Sequence, residues 1–332
     1  MKNGIRGIVL KNKIKTIFCM LFILFLLFCM LIRGSDALHY ASIGLTIWFN
    51  KMIPTLFPFM MLSGILIKTG YSVKLAKLCY PFIGNLFQLS YDCVYIIIMG
   101  FLCGFPMGGA VIAQSLKAKR ISQQEANLLL AFTNNIGPVY FFSFICVNCP
   151  LKSILFPALV MYLVPFLYGL LLRYTKYHFI PFSKQMEKNI YEKKETIFQA
   201  MDDSITSGIE NITKLGGYMI LFNLFNLIFA FPLFAISDLY RGLIACMLEI
   251  SGGVIMLTQY PVYFPFIYIM LPIGGLSCIA QTYSITGALS LNMKEYLIHK
   301  LIQGIITFLL YAFFLFSFFD DSQNKKNIKN KK

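Results

Sequence analysis

The chain has 332 residues, of which 58% are hydrophobic and only 13% charged, and its mean hydropathy is +0.71. So few charges cannot cover the surface of a water-soluble fold, which excludes soluble enzymes, nucleic-acid readers and disordered scaffolds. The net charge of +15 is carried by short runs between apolar segments, where lysine and arginine orient helices in a bilayer.

The leader holds Lys2, Arg6, Lys11, Lys13 and Lys15, and the charge-free run Thr16 to Ile32 follows. That run is too long for the apolar part of a signal peptide, and about 20 residues cross a hydrocarbon core of about 30 Å, so segment 1–35 reads as a basic leader and a first transmembrane helix. Further uncharged stretches run from Met52 to Ile67, Cys93 to Leu116, Ala126 to Leu151, Ser153 to Leu172, Leu215 to Ser237, Ile250 to Met293 and Leu301 to Phe319. Two of them exceed the length of one helix. A basic linker, 173–200, holds Arg173, Lys176, Lys184, Lys188, Lys193 and Lys194 and separates a first half, 36–172, from a second, 201–319. A lysine-rich tail, 320–332, follows. The positive-inside rule puts the N-terminus, linker and tail in the cytoplasm, which requires an even number of crossings in each half.

The halves repeat an ordered set of motifs. Tyr95-Ile-Ile-Ile-Met99, Gly104-Phe-Pro-Met-Gly-Gly109 and Ile112-Ala-Gln114 in the first half match Phe266-Ile-Tyr-Ile-Met270, Pro272-Ile-Gly-Gly275 and Ile279-Ala-Gln281 in the second. Each set precedes a helix-start pattern, Ser122-Gln-Gln-Glu125 and Asn292-Met-Lys-Glu295. Proline lacks an N–H and glycine carries the largest backbone entropy cost, so both breaks interrupt a membrane helix. Broken backbone at bilayer depth is tolerated only where protein or a water-filled cavity satisfies it, and paired interruptions in two halves point to a transporter-type site near the midplane. The candidate substrate-binding residues are therefore Gly104, Pro106, Gly108 and Gln114 at the first break and Gly274, Gly275 and Gln281 at the second. Close helix crossings or simple kinks are the competing readings.

The loop after the first break carries Lys117, Lys119 and Arg120, whereas Thr282 to Met293 carries no charge. This difference suggests inverted repeats, the first hairpin opening to the cytoplasm and the second to the outside. The fold class is then all-α, a polytopic integral membrane protein with two repeats and broken or re-entrant helices. Gly242 to Thr258 must lie along the interface or re-enter, which leaves the number of spans open.

A third break, Asn134-Asn-Ile-Gly-Pro138, places two carboxamides in an apolar run. Unpaired amides are expensive in hydrocarbon, so Asn134 and Asn135 either contact a ligand, or cap freed carbonyls or hydrogen-bond between helices. Glu249 is the one acidic or basic residue between Gly242 and Met293. A carboxyl group at membrane depth is a candidate for proton coupling, against the alternatives that it snorkels to an interface or pairs with Arg241. Phe105, Tyr140 and Tyr268 lie near the breaks, where they can stack on a ring. No catalytic constellation, metal site or cofactor motif is expected: Cys146 and Cys149 form a lone C-x-x-C, His39, His178 and His299 are far apart, and no Walker motif occurs. The chain reads as a non-enzyme.

Pro54-Thr-Leu-Phe-Pro-Phe59 after Trp48, Gly104-Phe-Pro-Met-Gly108, Glu125-Ala-Asn-Leu-Leu129 leading to Asn134, Asn135 and Pro138, then Leu248-Glu-Ile-Ser-Gly252, Gly274-Gly-Leu-Ser277 and Ala280-Gln281 resemble the sporulation integral membrane protein YlbJ family. That family belongs to the nucleoside recognition or Gate domain group, whose repeats look like those of concentrative nucleoside transporters. The resemblance implies a multi-pass protein of the membranes around the developing spore that transports a small polar or anionic metabolite such as dipicolinate. A nucleoside-type permease and a non-transporting scaffold of a sporulation complex are the alternatives. The expected partners are the lipid bilayer and a small-molecule substrate, dipicolinate or nucleoside-like, with no nucleic acid; a homo-oligomer is left open.

Overall fold

Inside a bilayer only a helix satisfies its own backbone, and the long apolar runs fold accordingly. The computed structural model describes residues 2–149, 153–181, 196–234 and 236–329. No strand occurs among the described residues, and seven segments among them are long and apolar enough to cross a membrane.

The first span belongs to α1 (Lys2–Ile32). The second joins α2 (Gly34–Ile47) to α3 (Ile53–Lys68) through a π-helical turn at Trp48–Met52. Next, α4 (Tyr71–Phe87) meets α5 (Tyr91–Cys103) at a bend of 99°, and α6 (Met107–Lys117) packs back against α5 around the Gly104–Pro106 turn. The third span, Gln123–Asn148, contains α7 (Gln123–Thr133), α8 (Pro138–Tyr140) and α9 (Cys146–Asn148) and is interrupted at 134–137. It is followed by α10 (Leu155–Tyr174). In the second half, α11 (Ile197–Leu224) crosses first, and α12 (Asp238–Leu248) and α13 (Ile250–Leu257) pack against each other across one residue, Glu249. The span Pro261–Thr286 contains α14 (Phe264–Met270) and α15 (Gly275–Thr286) with an interruption at 271–274, and α16 (Met293–Lys329) supplies the last crossing, Met293–Phe313.

Small residues set the closest approaches. Antiparallel to α2 and α3, α11 meets them at Gly44 beside Met219, Gly208 beside Phe57 and Gly216 beside Trp48. A methyl group on Gly44 would lie 2.8 Å from the Met219 carbonyl oxygen, so only glycine permits this contact. The Trp48 indole donates to Ile212 O at 2.7 Å, and Lys68 pairs with Asp203 at 3.4 Å. The same device closes α12 on α13, because a methyl group on Gly242 would sit 2.6 Å from Leu257 and one on Gly253 would collide with Cys246.

Three expectations change. The Gly104 motif is a hairpin tip, whereas Pro272-Ile-Gly-Gly275 interrupts a single span. The architectural counterpart of the first hairpin is Gly242 to Thr258, which re-enters with Glu249 at its tip, and the counterpart of the Leu271–Gly274 interruption is Asn134–Gly137. Among the described residues the candidate spans number four before the linker and three after it, with the bent pair of α4 and α5 a further candidate in the first half. Lys176 binds Glu295 at 2.7 Å at the start of α16, so the helix then carries the chain to the opposite face and the even count is not met. Residues 182–195 of the linker and 330–332 of the tail lie outside the described residues. Arg173, assigned above to the linker, is 3% exposed. It donates to the carbonyls of Phe87, Gln88, Tyr177 and Ile180, fixing the ends of α4 and α10.

Candidate functional site between two hairpin tips

Hairpin 1 (α5 and α6) reaches its turn against the first interrupted span. Gly104 has φ +70°, and a methyl group there would lie 2.9 Å from Asn135 O; one on Gly137 would lie 2.6 Å from Cys103 O. Glycine on both sides lets the Phe105 N–H donate to Asn135 O at 2.7 Å, so each break supplies what the other lacks. Gly108 lies on the same contact, 3.1 Å from Thr133 O when given a Cβ, and Pro106 caps α6.

Both asparagines are buried. Asn134 accepts from Gly109 N at 3.1 Å and donates to Thr282 Oγ1 at 2.9 Å and the Tyr296 hydroxyl at 3.1 Å, stapling α6, α15 and α16. Asn135 donates to Phe132 O and accepts from Lys300 Nζ, both at 2.5 Å. Asn134 thus hydrogen-bonds between helices, whereas Asn135 caps the Phe132 carbonyl and also reaches α16.

Hairpin 2 (α12 and α13) is organised by a side-chain acceptor. The Glu249 carboxylate caps α13, accepting from Gly252 N at 2.7 Å and Asn223 Nδ2 at 3.2 Å. Glu249 is 3% exposed, and Arg241 pairs instead with Asp238 at 3.4 Å. Both alternatives for Glu249, interfacial snorkelling and pairing with Arg241, are therefore overturned. The second interruption packs beside this tip: Gly274 and Gly275 have φ of +77° and +75°, and a methyl group on Gly275 would lie 3.2 Å from Cys246 O.

Each tip also touches the other half. Phe105 packs on Gly274, and Tyr140 shares a 2.8 Å hydrogen bond with Ser251. Between them lies a small cavity of about 40 Å³. Met52 and Leu56 of the second span and Leu215 and Met219 of α11 form its apolar wall, Phe105 and Tyr140 contribute rings, and Glu249, Ser251 and Gln281 its polar groups. An apolar pocket with a few convergent polar groups is the usual form of a small-molecule site.

Of the amides expected to share one cavity, Gln281 lines it, Gln114 is exposed on α6, and Asn135 lies behind Phe105. Tyr268 is occupied elsewhere, donating to Cys149 O at 2.8 Å.

Lys300 was not anticipated. It is 0% exposed and lies 5.5 Å from the centroid of the Phe105 ring and 5.6 Å from that of Tyr296. In sequence it looks like a basic flank, because an uncharged run begins at Leu301. The helix-start pattern at Asn292 was the available signal: eight residues at about 1.5 Å each put Lys300 about 12 Å into the helix. Tyr296, Lys300, Gln303 and Thr307 are buried at helical spacing, facing the bundle.

The start of α16 carries a separate polar cluster. Glu295 accepts from the Tyr177 hydroxyl and pairs with Lys176 at 2.7 Å and His299 at 3.2 Å. Burial, and then the hydrogen bond to Glu295, raise the Tyr177 phenol above its ordinary range. This cluster ties the chain after α10 to α16 and lies away from the cavity.

No family model and no solved structure matches the chain. It is 25% identical, over an alignment of 343 positions covering 89% of this chain and 81% of the relative, to the sporulation integral membrane protein YlbJ of Bacillus subtilis (strain 168). The chain is an all-helical, multi-span integral membrane homologue of the sporulation protein YlbJ.

Proposed function

We propose that this protein is a transporter, not an enzyme, and that it carries a small polar or anionic metabolite across a membrane around the developing spore. One observation carries the reading: two hairpin tips and two interrupted spans, drawn from both halves, converge on one partly polar cavity. Interrupted helices at bilayer depth cost stability and are retained where they bind a substrate and move around it. Dipicolinate is the leading substrate, on the kinship with a sporulation protein, and nucleosides are second, on the likeness to the Gate group. Glu249 is the candidate for proton coupling, since it is a buried carboxyl group at the tip of a hairpin.

Purified protein in proteoliposomes, offered labelled dipicolinate and labelled uridine, tests this. Time-dependent dipicolinate uptake above that of protein-free liposomes is expected. Uptake of uridine alone would move the chain to the nucleoside class, and uptake of neither would leave a scaffold as the better account.

A further inference from the structure

We propose that Lys300 is the anion anchor of this cavity, so that the substrate class is a small organic anion held through a carboxylate. The inference deepens the transport reading and rests on it.

Two buried ionisable side chains flank the cavity region, and their surroundings differ. The Glu249 carboxylate is supplied with donors by its own helix start and by Asn223. Lys300 carries three N–H donors, and among the described residues a single acceptor, Asn135 Oδ1, meets one of them. No carboxylate among the described residues lies within ion-pair distance of it. Arg173, the other buried cation, donates to four carbonyls, so incomplete satisfaction is not general in this protein. A buried amino group with donors to spare calls for an anion or water, and an anion beside it favours its protonated form.

The neighbouring groups place that anion. Phe105 carries Lys300 over its ring and also lines the cavity. Cys278, another lining residue, lies within electrostatic reach of both Lys300 and Glu249. Gln281 lines the same space, and the oxygen end of its buried amide has no partner. The Phe105 ring is thus shared by Lys300 and the cavity, so a carboxylate that passes its edge takes the free donors while the rest of the molecule meets Gln281 and the rings.

The test uses dipicolinate and its uncharged diamide, pyridine-2,6-dicarboxamide, which has the same shape. In wild-type proteoliposomes the diamide should compete with labelled dipicolinate at least about tenfold less well than unlabelled dipicolinate. Lys300→Met should raise the half-saturating dipicolinate concentration at least about tenfold, while Lys300→Arg stays within about threefold. Equal competition by the diamide overturns the inference even if Lys300→Met fails to fold, because that arm needs only the wild type. A folded Lys300→Met protein with unaltered half-saturation also overturns it. If the wild type takes up neither labelled dipicolinate nor labelled uridine, the transport reading falls. Thermal stabilisation of the detergent-solubilised protein by dipicolinate but not by the diamide would still support Lys300, and its absence would end the inference as well.

Discussion

The two hairpin tips solve one problem, orphaned backbone at bilayer depth, in different ways. Tip 1 is closed by size: Gly104 and Gly137 approach until the Phe105 N–H reaches Asn135 O, and the turn needs no charge. Tip 2 is closed by a carboxylate, with Glu249 capping α13 and holding Asn223. The first tolerates no added atom and the second no lost acceptor. The tip that relies on a titratable group is also the one that can respond to protons.

The tips also enter from opposite faces, and this part of the comparison is all or none. The loops around Gln123 and Ser290 are hydrogen-bonded to each other, and Lys176 meets Glu295 nearby, whereas Arg33 reaches Ala230 at the other end. Reporter fusions at Lys194 and Lys332 should therefore mark opposite sides, although both segments are lysine-rich. Identical readings would remove one of the seven spans.

Gly104→Ala comes next. Its left-handed backbone and the crowding at Asn135 O together should cost about 3 kcal/mol, and folded protein recovered from membranes should fall sharply. Glu249→Ala should cost about 2 kcal/mol, read as a lower melting temperature in detergent, because it removes a cap and strands Asn223. Glu249→Gln retains an acceptor and should melt within about 1 kcal/mol of wild type while losing the pH dependence of uptake. A glutamine variant as unstable as the alanine one would mean that the charge, not the acceptor, holds tip 2. The smallest effect belongs to Gln114→Ala, expected within about 0.5 kcal/mol of wild type and with unchanged uptake, since its side chain is exposed.

Much of this was legible in the sequence because membrane physics writes in composition. Uncharged runs marked the spans, Gly104-Phe-Pro marked a tip through residues that cannot continue a helix, and Glu249 stood out as a lone charge. The pairing of the halves was misread for the same reason. Gly104-Phe-Pro-Met-Gly-Gly109 resembles Pro272-Ile-Gly-Gly275 in composition, but its counterpart in the fold is the Glu249 turn, which has no proline and is made by a cap and two glycine contacts. Asn134 and Asn135 read as ligand groups or caps because sequence shows that an amide needs partners without showing that Thr282, Tyr296 and Lys300, from the other half, supply them. Lys300 was hidden by its position beside a long apolar run.

The central claim is that the cavity between the tips receives substrate, and Gln281 reports on it most directly. In a cysteine-free background, Gln281→Cys should react with a small membrane-impermeant thiol reagent, and saturating dipicolinate should slow that reaction several-fold while leaving a lipid-facing control position unaffected. Labelling that proceeds at the same rate with and without dipicolinate, in protein shown to take it up, would contradict the account.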